Sequence, residues 1–208
     1  MAEIANSWQI AMQNSITDSD KLLSLLGLDV AVLKQPKFPC KVPMSFVNRM
    51  RKGDPNDPLL LQVLPQIAES INSPGYSAHP IEELLHSPAP GLIHKYYNRV
   101  LLTITGACAV HCRYCFRQNT DYKAAHPKKQ QVLAYLKAKP EVDEVIFSGG
   151  DPLSLSDAKI GGWLEALAEI GSIKRIRFHT RLPVVIPQRI TQELVNLMDD
   201  SRFWCTMV

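Results

Sequence analysis

Residues 100–115 read Val-Leu-Leu-Thr-Ile-Thr-Gly-Ala-Cys-Ala-Val-His-Cys-Arg-Tyr-Cys. Val100–Ile104 is a short apolar run of strand length, and it empties directly into a loop carrying three cysteines. The same rhythm repeats downstream. Val145–Phe147 reads as a second buried strand and leads into SGGDPL (148–153); Ile173–Phe178 reads as a third and leads into HTRLP (179–183). Phe203–Val208 begins a fourth. Helical patterns fill the intervals near Lys129–Lys137, from Asp157 to Ala168, and near Arg189–Met198. Strands alternating with helices predict an α/β fold, a parallel sheet of right-handed strand–helix–strand units. In such sheets ligands collect on the loops beyond the carboxyl ends of the strands. The cysteine, glycine and HTRLP loops are therefore expected on one face.

Working outward, residues 1–35 predict amphipathic helix, with Trp8, Ile10, Ala11 and Met12 as one patch. Asp18, Ser19 and Asp20 then introduce Leu22, Leu23, Leu25 and Leu26, and Gly27 closes the set. Residues 36–91 are rich in Pro, Gly and Asp, which favours turns and extended connections with short helices around Met44–Met50 and Leu59–Leu64. That stretch keeps Phe38, Phe46, Val47, Leu60 and Leu61, so it reads as an adapter packed on a larger body. The expected organisation is an N-terminal helical and Pro-rich extension, 1–92, and a core, 93–208. Because the fourth strand is the last element, the chain is expected to be a fragment of a longer barrel.

Composition narrows the function. A hydrophobic fraction of 46% with 21% charged residues is that of a globular domain. The net charge of +3 comes without a Lys/Arg stripe, which argues against nucleic acid as a partner. No apolar run approaches the roughly 20 residues of a membrane span, and the first residues lack the pattern of a secretory signal. A reducing cytoplasmic setting is expected, where clustered cysteines are metal ligands in preference to disulfides.

Cys108, Cys112 and Cys115 lie within eight residues, in the spacing CxxxCxxC. Three thiolates on one loop suit three irons of a cubane cluster and leave the fourth iron open for chemistry. Zinc is the alternative, but a structural zinc site takes four ligands. No second cysteine pair is present, and His111 sits within the same short loop. Cys40 and Cys205 lie away from the triplet and read as small buried hydrophobes. Gly149 and Gly150 permit close backbone approach and positive φ, and Asp151 offers an acceptor or a helix cap.

CxxxCxxC after a first barrel strand, with Tyr114 before the last cysteine, resembles the radical S-adenosylmethionine (SAM) enzymes. The resemblance narrows to the lysine 2,3-aminomutase family through HKYYNRVLLTITGACAVHCRYCFRQ (94–118), DEVIFSGGDPL (143–153) and RFHTRLPVVIPQRIT (177–191). KVPMSFVNRMRKGDPNDPLLLQVLP (41–65) looks like the branch that supplies β-lysine for modification of elongation factor P. The resemblance implies a partial radical SAM barrel of TIM-like construction and a 4Fe-4S cluster on Cys108, Cys112 and Cys115. It implies SAM chelated at the open iron, with Tyr114 beside the adenine and Gly149, Gly150 and Asp151 at the methionyl amine. It also implies pyridoxal 5′-phosphate (PLP), its phosphate gripped by Lys95 and Arg99, and Arg117 pairing with the substrate carboxylate. The reaction implied is the interconversion of L-α-lysine and β-lysine, with free lysine as substrate and an external electron donor; glutamate or arginine as the amino acid, or an inactive iron–sulfur fragment, are the alternatives.

In that family the lysine that holds PLP covalently, and the carboxylates that grip the substrate's ε-ammonium, lie beyond residue 208, so no catalytic residue is assigned within the chain. Arg181 receives no role. His111, His126 and His179 read as loop or core residues, and a homo-oligomeric state is left open.

Overall fold

In the computed structural model the described residues are 7–34, 36, 38–71, 74–77, 82–115, 118 and 127–208. They fall into two compact units. One comprises Met1–Pro80, Ala109–Thr120 and Pro183–Gln188; the other comprises Ile81–Cys108, Asp121–Leu182 and Arg189–Val208.

The second unit is built on a five-stranded sheet in the order β1-β2-β3-β4-β5, with β1 Leu92–Tyr96, β2 Arg99–Thr105, β3 Glu144–Gly149, β4 Arg175–Phe178 and β5 Trp204–Met207. β2 through β5 are parallel, as the alternation of strands and helices predicts. β1 was not anticipated. It pairs antiparallel with β2 through Leu92↔Leu102 and Ile93↔Leu101, and a bulge shifts the register before Tyr96↔Arg99. Helices α4 Lys129–Lys137, α5 Asp157–Ala168 and α6 Gln192–Asp199 connect the parallel strands.

Strand alternation divides the sheet into two different faces. Val100, Leu102, Val145, Phe147, Ile176 and Phe178 are all buried on one of them. There the Phe147 ring meets Phe178 edge-on at 5.2 Å and Trp163 of α5 at 6.5 Å. Fully burying one such side chain is worth about 1.5–3 kcal/mol, so this apolar layer is a large contribution to the unit's stability. The opposite face, through Arg99, Thr103, Glu144, Ser148 and Arg177, is polar and charged. The carboxyl end of α5 is satisfied by Arg202, whose guanidinium donates to the carbonyls of Leu167, Ala168, Ile170 and Ile173 at 2.7–3.3 Å. Thr191 caps α6 by accepting from the Leu194 amide.

In the first unit, the long helix expected over 1–35 is two short ones, α1 Ser7–Gln13 and α2 Ser19–Leu26. The break has a local cause. Asp18 is extended and accepts from the amides of Asp20 and Lys21 as an N-cap, and Gly27 takes φ +67° as the C-cap. Residues 28–34 are not helical. Among its described residues the Pro-rich stretch of this unit is mostly turns and irregular connections, with one-turn helices at α3 Met44–Val47, Leu60–Gln62 and Ile67–Ser70. Asp57, itself buried, caps the second of these by accepting from Leu59 and Leu60.

Candidate functional site

The polar loops follow the carboxyl ends of β2, β3 and β4. Within the second unit, the loop after β3 is pressed onto the end of β2. Gly150 donates its amide to the Thr105 carbonyl at 2.6 Å, and Asp151 donates to the Ala107 carbonyl at 2.7 Å. Thr105 Oγ1 in turn accepts from the Ala107 amide, and Ser154 Oγ donates to the Ala107 carbonyl. Both glycines are required by this approach. Gly149 has φ +114°, and a methyl group on it would overlap the Thr105 carbonyl; a methyl group on Gly150 would overlap the carbonyl of Ala107. The glycine loop is thereby fixed against the strand that ends at Thr105, three residues before Cys108 in the same unit.

Asp151 ties this loop to the one after β4. Its side chain is buried, and both oxygens are taken twice: Oδ1 accepts from Thr180 Oγ1 (2.6 Å) and the Leu153 amide (3.0 Å), while Oδ2 accepts from the amides of Arg181 (2.7 Å) and Leu182 (3.1 Å). Burial pushes the carboxyl above its ordinary value, against the pull of the four donors. A carboxylate offers about four lone-pair positions, so the acceptor capacity assigned from sequence to a ligand's ammonium group is already used. The carboxylate clamps two loops, and HTRLP, within which Arg181 has no role assigned from sequence, is its other jaw. A second tie is Arg189, fully buried, which donates to the carbonyls of Leu153 (2.7 Å) and Leu155 (3.1 Å) and to Asp157 Oδ1 (2.6 Å). Sequence reading placed Arg189 only at the start of a helix.

Cys112 and Cys115 belong to the first unit, and its extended segments hold the loop between them. His111 donates its amide to the Lys41 carbonyl, its Nδ1 lies 2.8 Å from the Pro39 carbonyl, and its ring stacks on Phe38 at 4.3 Å. Burial, with the charges of Lys41 and Arg113, holds His111 below its ordinary pKa against the pull of the Pro39 carbonyl. This is the loop histidine expected. Arg113, overlooked in the sequence, is the main anchor. Its amide donates to Gln62, Nη1 donates to the Phe38 carbonyl at 2.6 Å, and Nε and Nη2 grip both carboxylate oxygens of Glu69. Burial raises the Glu69 carboxyl, but Arg113 and the Gln66 amide outweigh it and leave the group below its ordinary range. Beside Arg113, the exposed Tyr114 borders a cleft of about 470 Å³ whose wall includes Leu61, Gln62 and Gln66. That volume is in the range of ligand pockets.

None of the five cysteines is in a disulfide; Cys40 and Cys112 are buried and Cys108, Cys115 and Cys205 half-buried. Desolvation raises the Cys40 thiol to about 11 and also raises Cys205. Among the described residues, no three His, Cys, Asp or Glu side chains gather as they would about a single metal ion. A cubane does not ask for that, since its thiolates go to different irons. Lys95 is exposed on β1, and Arg99 opens β2 beside Glu144. Arg117 and His126 lie outside the described residues.

Residues 102–203 match the family model of the radical SAM superfamily. Along 97% of its length the chain is 48% identical to the L-lysine 2,3-aminomutase of Escherichia coli (strain K12), of which it covers 61%. It is 40% identical to the L-lysine 2,3-aminomutase of Haemophilus influenzae, covering 62% of that protein, and 36% identical to that of Clostridium subterminale, covering 49%. The chain thus spans half to three-fifths of the length of these relatives.

Proposed function

We infer that this chain is a radical SAM protein and carries the cluster- and SAM-binding part of an aminomutase that interconverts L-α-lysine and β-lysine. The observation that carries the reading is the glycine loop. Gly149, Gly150 and Asp151 are held by backbone bonds to Thr105 and Ala107, the residues that lead into Cys108, as a cofactor-binding loop must be held relative to the first cluster ligand.

Cys108, Cys112 and Cys115 are the proposed cluster ligands. The donor set fits: thiols without disulfides, on a loop whose one histidine is engaged by Pro39 and Phe38. Arg113 and Glu69 would keep that loop from swinging when the cluster binds. Tyr114, with its neighbouring cleft, is the proposed support for the adenine. Gly149 and Gly150 would meet SAM through their backbone, and Asp151 would serve by locking the loop in place. Arg99, with Lys95, would hold the PLP phosphate, and Arg117 the substrate carboxylate. When bound, the cluster supplies the electron that cleaves SAM, and PLP carries the migrating amino group. The protein's share is placement, which in general is worth several orders of magnitude in rate.

A reducing cytoplasmic setting suits five thiols, and no helix among the described residues is long and apolar enough to cross a membrane. An external reductant would feed the cluster. The resemblance of residues 41–65 to the elongation factor P branch supports β-lysine supply for that modification as the role. The test is anaerobic incubation of reconstituted protein with SAM, PLP, dithionite and L-lysine. Release of 5′-deoxyadenosine is expected from this chain, and β-lysine from the protein at its relatives' full length. Failure to cleave SAM at full iron loading overturns the reading.

A further inference from the structure

The polar face of the parallel sheet contains an arrangement that its fold does not require. Glu144, the first residue of β3, has a side chain only 3% exposed. It is aligned with Arg99 on β2, and its carboxylate stands between two arginines: Arg177 Nη2 of β4 lies 2.5 Å from Oε1, and Arg99 Nε lies 4.0 Å from Oε2. Arg177 sits one step further along the same face, level with Leu101 and Ile146. The neighbouring Arg175 is paired separately, to Asp143 at 2.8 Å. Two guanidinium groups therefore share one carboxylate, leaving a net charge of +1. Neither arginine is sealed in: the side chains are 34% (Arg177) and 41% (Arg99) exposed. The Arg99 guanidinium is further steadied over the Tyr96 ring at 5.8 Å.

Strands of a parallel sheet are usually apolar on both faces. Burying a carboxylate among cations is at best neutral for stability compared with apolar residues of the same volume. An uneven set, two cations to one anion, with both arginine side chains partly exposed, is what an anion site requires. Guanidinium groups suit a phosphate because they present paired N–H donors. The site lies on the strands, about 16 Å of β3 below Gly149 (five residues at roughly 3.3 Å each), so it is separate from the glycine loop.

We propose that Arg177 is a phosphate-binding residue that acts with Arg99, and that Glu144 is the positioning residue holding both guanidinium groups open toward the ligand. The proposal rests on the reading above, in that it takes the phosphate to be that of PLP. It adds the second guanidinium and its holder.

The probe is pyridoxine 5′-phosphate, which has no aldehyde and makes no adduct with surface lysines, compared with pyridoxine, which lacks the phosphate. Binding to the full chain is measured by equilibrium dialysis. The wild type is expected to prefer the phosphorylated form by at least 10-fold, with inorganic phosphate competing. Arg177→Gln should weaken that form about 10- to 100-fold and leave pyridoxine unchanged, a loss typical of one charge-assisted pair. Arg177→Lys, which keeps the charge and should fold, is expected to lose several-fold on the phosphorylated form alone. Glu144→Gln should lower the preference with both arginines present. Lys174→Gln, which removes the same charge from an exposed lysine, should change nothing.

Equal binding of the two probes by the wild type, an unchanged preference in Arg177→Lys, or a loss in Lys174→Gln matching that in Arg177→Gln would each overturn the proposal. SAM cleavage by the same preparations separates the two readings. Intact cleavage with no phosphate preference removes this proposal alone, and absent cleavage at full iron loading removes the aminomutase reading.

Discussion

Replacing Asp151 with alanine tests whether this carboxylate is structural or meets a ligand. The substitution removes the acceptor for three backbone amides, those of Leu153, Arg181 and Leu182, and for the Thr180 hydroxyl, all at a buried position. An orphaned buried donor costs about 1–3 kcal/mol. Water entering the vacated space and relief of the carboxylate's desolvation offset part of the sum. A net loss of about 3–5 kcal/mol is expected, in line with removing one partner of a buried charged network. For a chain of this size that is a fall in Tm of roughly 6–20 °C. Asp151→Asn keeps one acceptor oxygen but turns an amide group toward two N–H donors, so it should lie between alanine and wild type. The assay is thermal unfolding by circular dichroism of apoprotein, with no cofactor added. An unchanged apoprotein Tm together with lost SAM binding would refute the argument and return Asp151 to the role of a ligand contact.

Gly150→Ala should cost at least about 2 kcal/mol, because the methyl group meets the backbone of Ala107, which cannot rotate away. Gly171→Ala, with open space around it, should be close to neutral, and urea midpoints compare the two. Glu69→Gln should destabilise the first unit at neutral pH. Since the native Glu69 carboxyl titrates below its ordinary value of 4.5, the advantage of wild type over Glu69→Gln should be complete above that pH and shrink as pH falls through the lowered native value. An advantage that does not shrink as the solution is acidified below pH 4.5 would show that Arg113 does not depend on that charge. Cys40, buried and raised to about 11, has roughly one thiolate in a thousand at pH 8 and should stay unmodified by iodoacetamide in native protein, as peptide mass mapping would show. Rapid labelling would mean the segment around it opens.

What could be read from sequence was local. β2, β3 and β4 announce themselves as short apolar runs, and the helices between them have regular spacing, so the parallel sheet follows. β1 escaped because Leu-Ile-His-Lys-Tyr is polar at its end and is bulged before it pairs with Arg99. Within residues 1–35 the Asp18 start signal and the Gly27 stop are both legible and bound α2, but the stretch is not helical throughout, because nothing restarts a helix after Gly27. The cysteine triplet and paired glycines are legible for the same reason as the strands: their chemistry is written in adjacent residues. The groups that hold them are not. Arg113 finds Glu69 44 residues back, Arg189 finds Asp157 32 residues back, and Arg177 finds Glu144 across a whole strand–helix–strand unit. A charged side chain destined for burial against a distant partner has the same local signature as one on the surface.

The central claim, a cluster on three cysteines, is tested most directly by iron and sulfide content after anaerobic reconstitution of the wild type and five single Cys→Ala variants. About four irons and four sulfides per chain are expected for wild type, as for a single cubane, with the same for Cys40→Ala and Cys205→Ala. Cys108→Ala, Cys112→Ala and Cys115→Ala should each lose most of both. Full iron and sulfide in any one of these three variants, or an equal loss in Cys40→Ala or Cys205→Ala, would contradict the assignment.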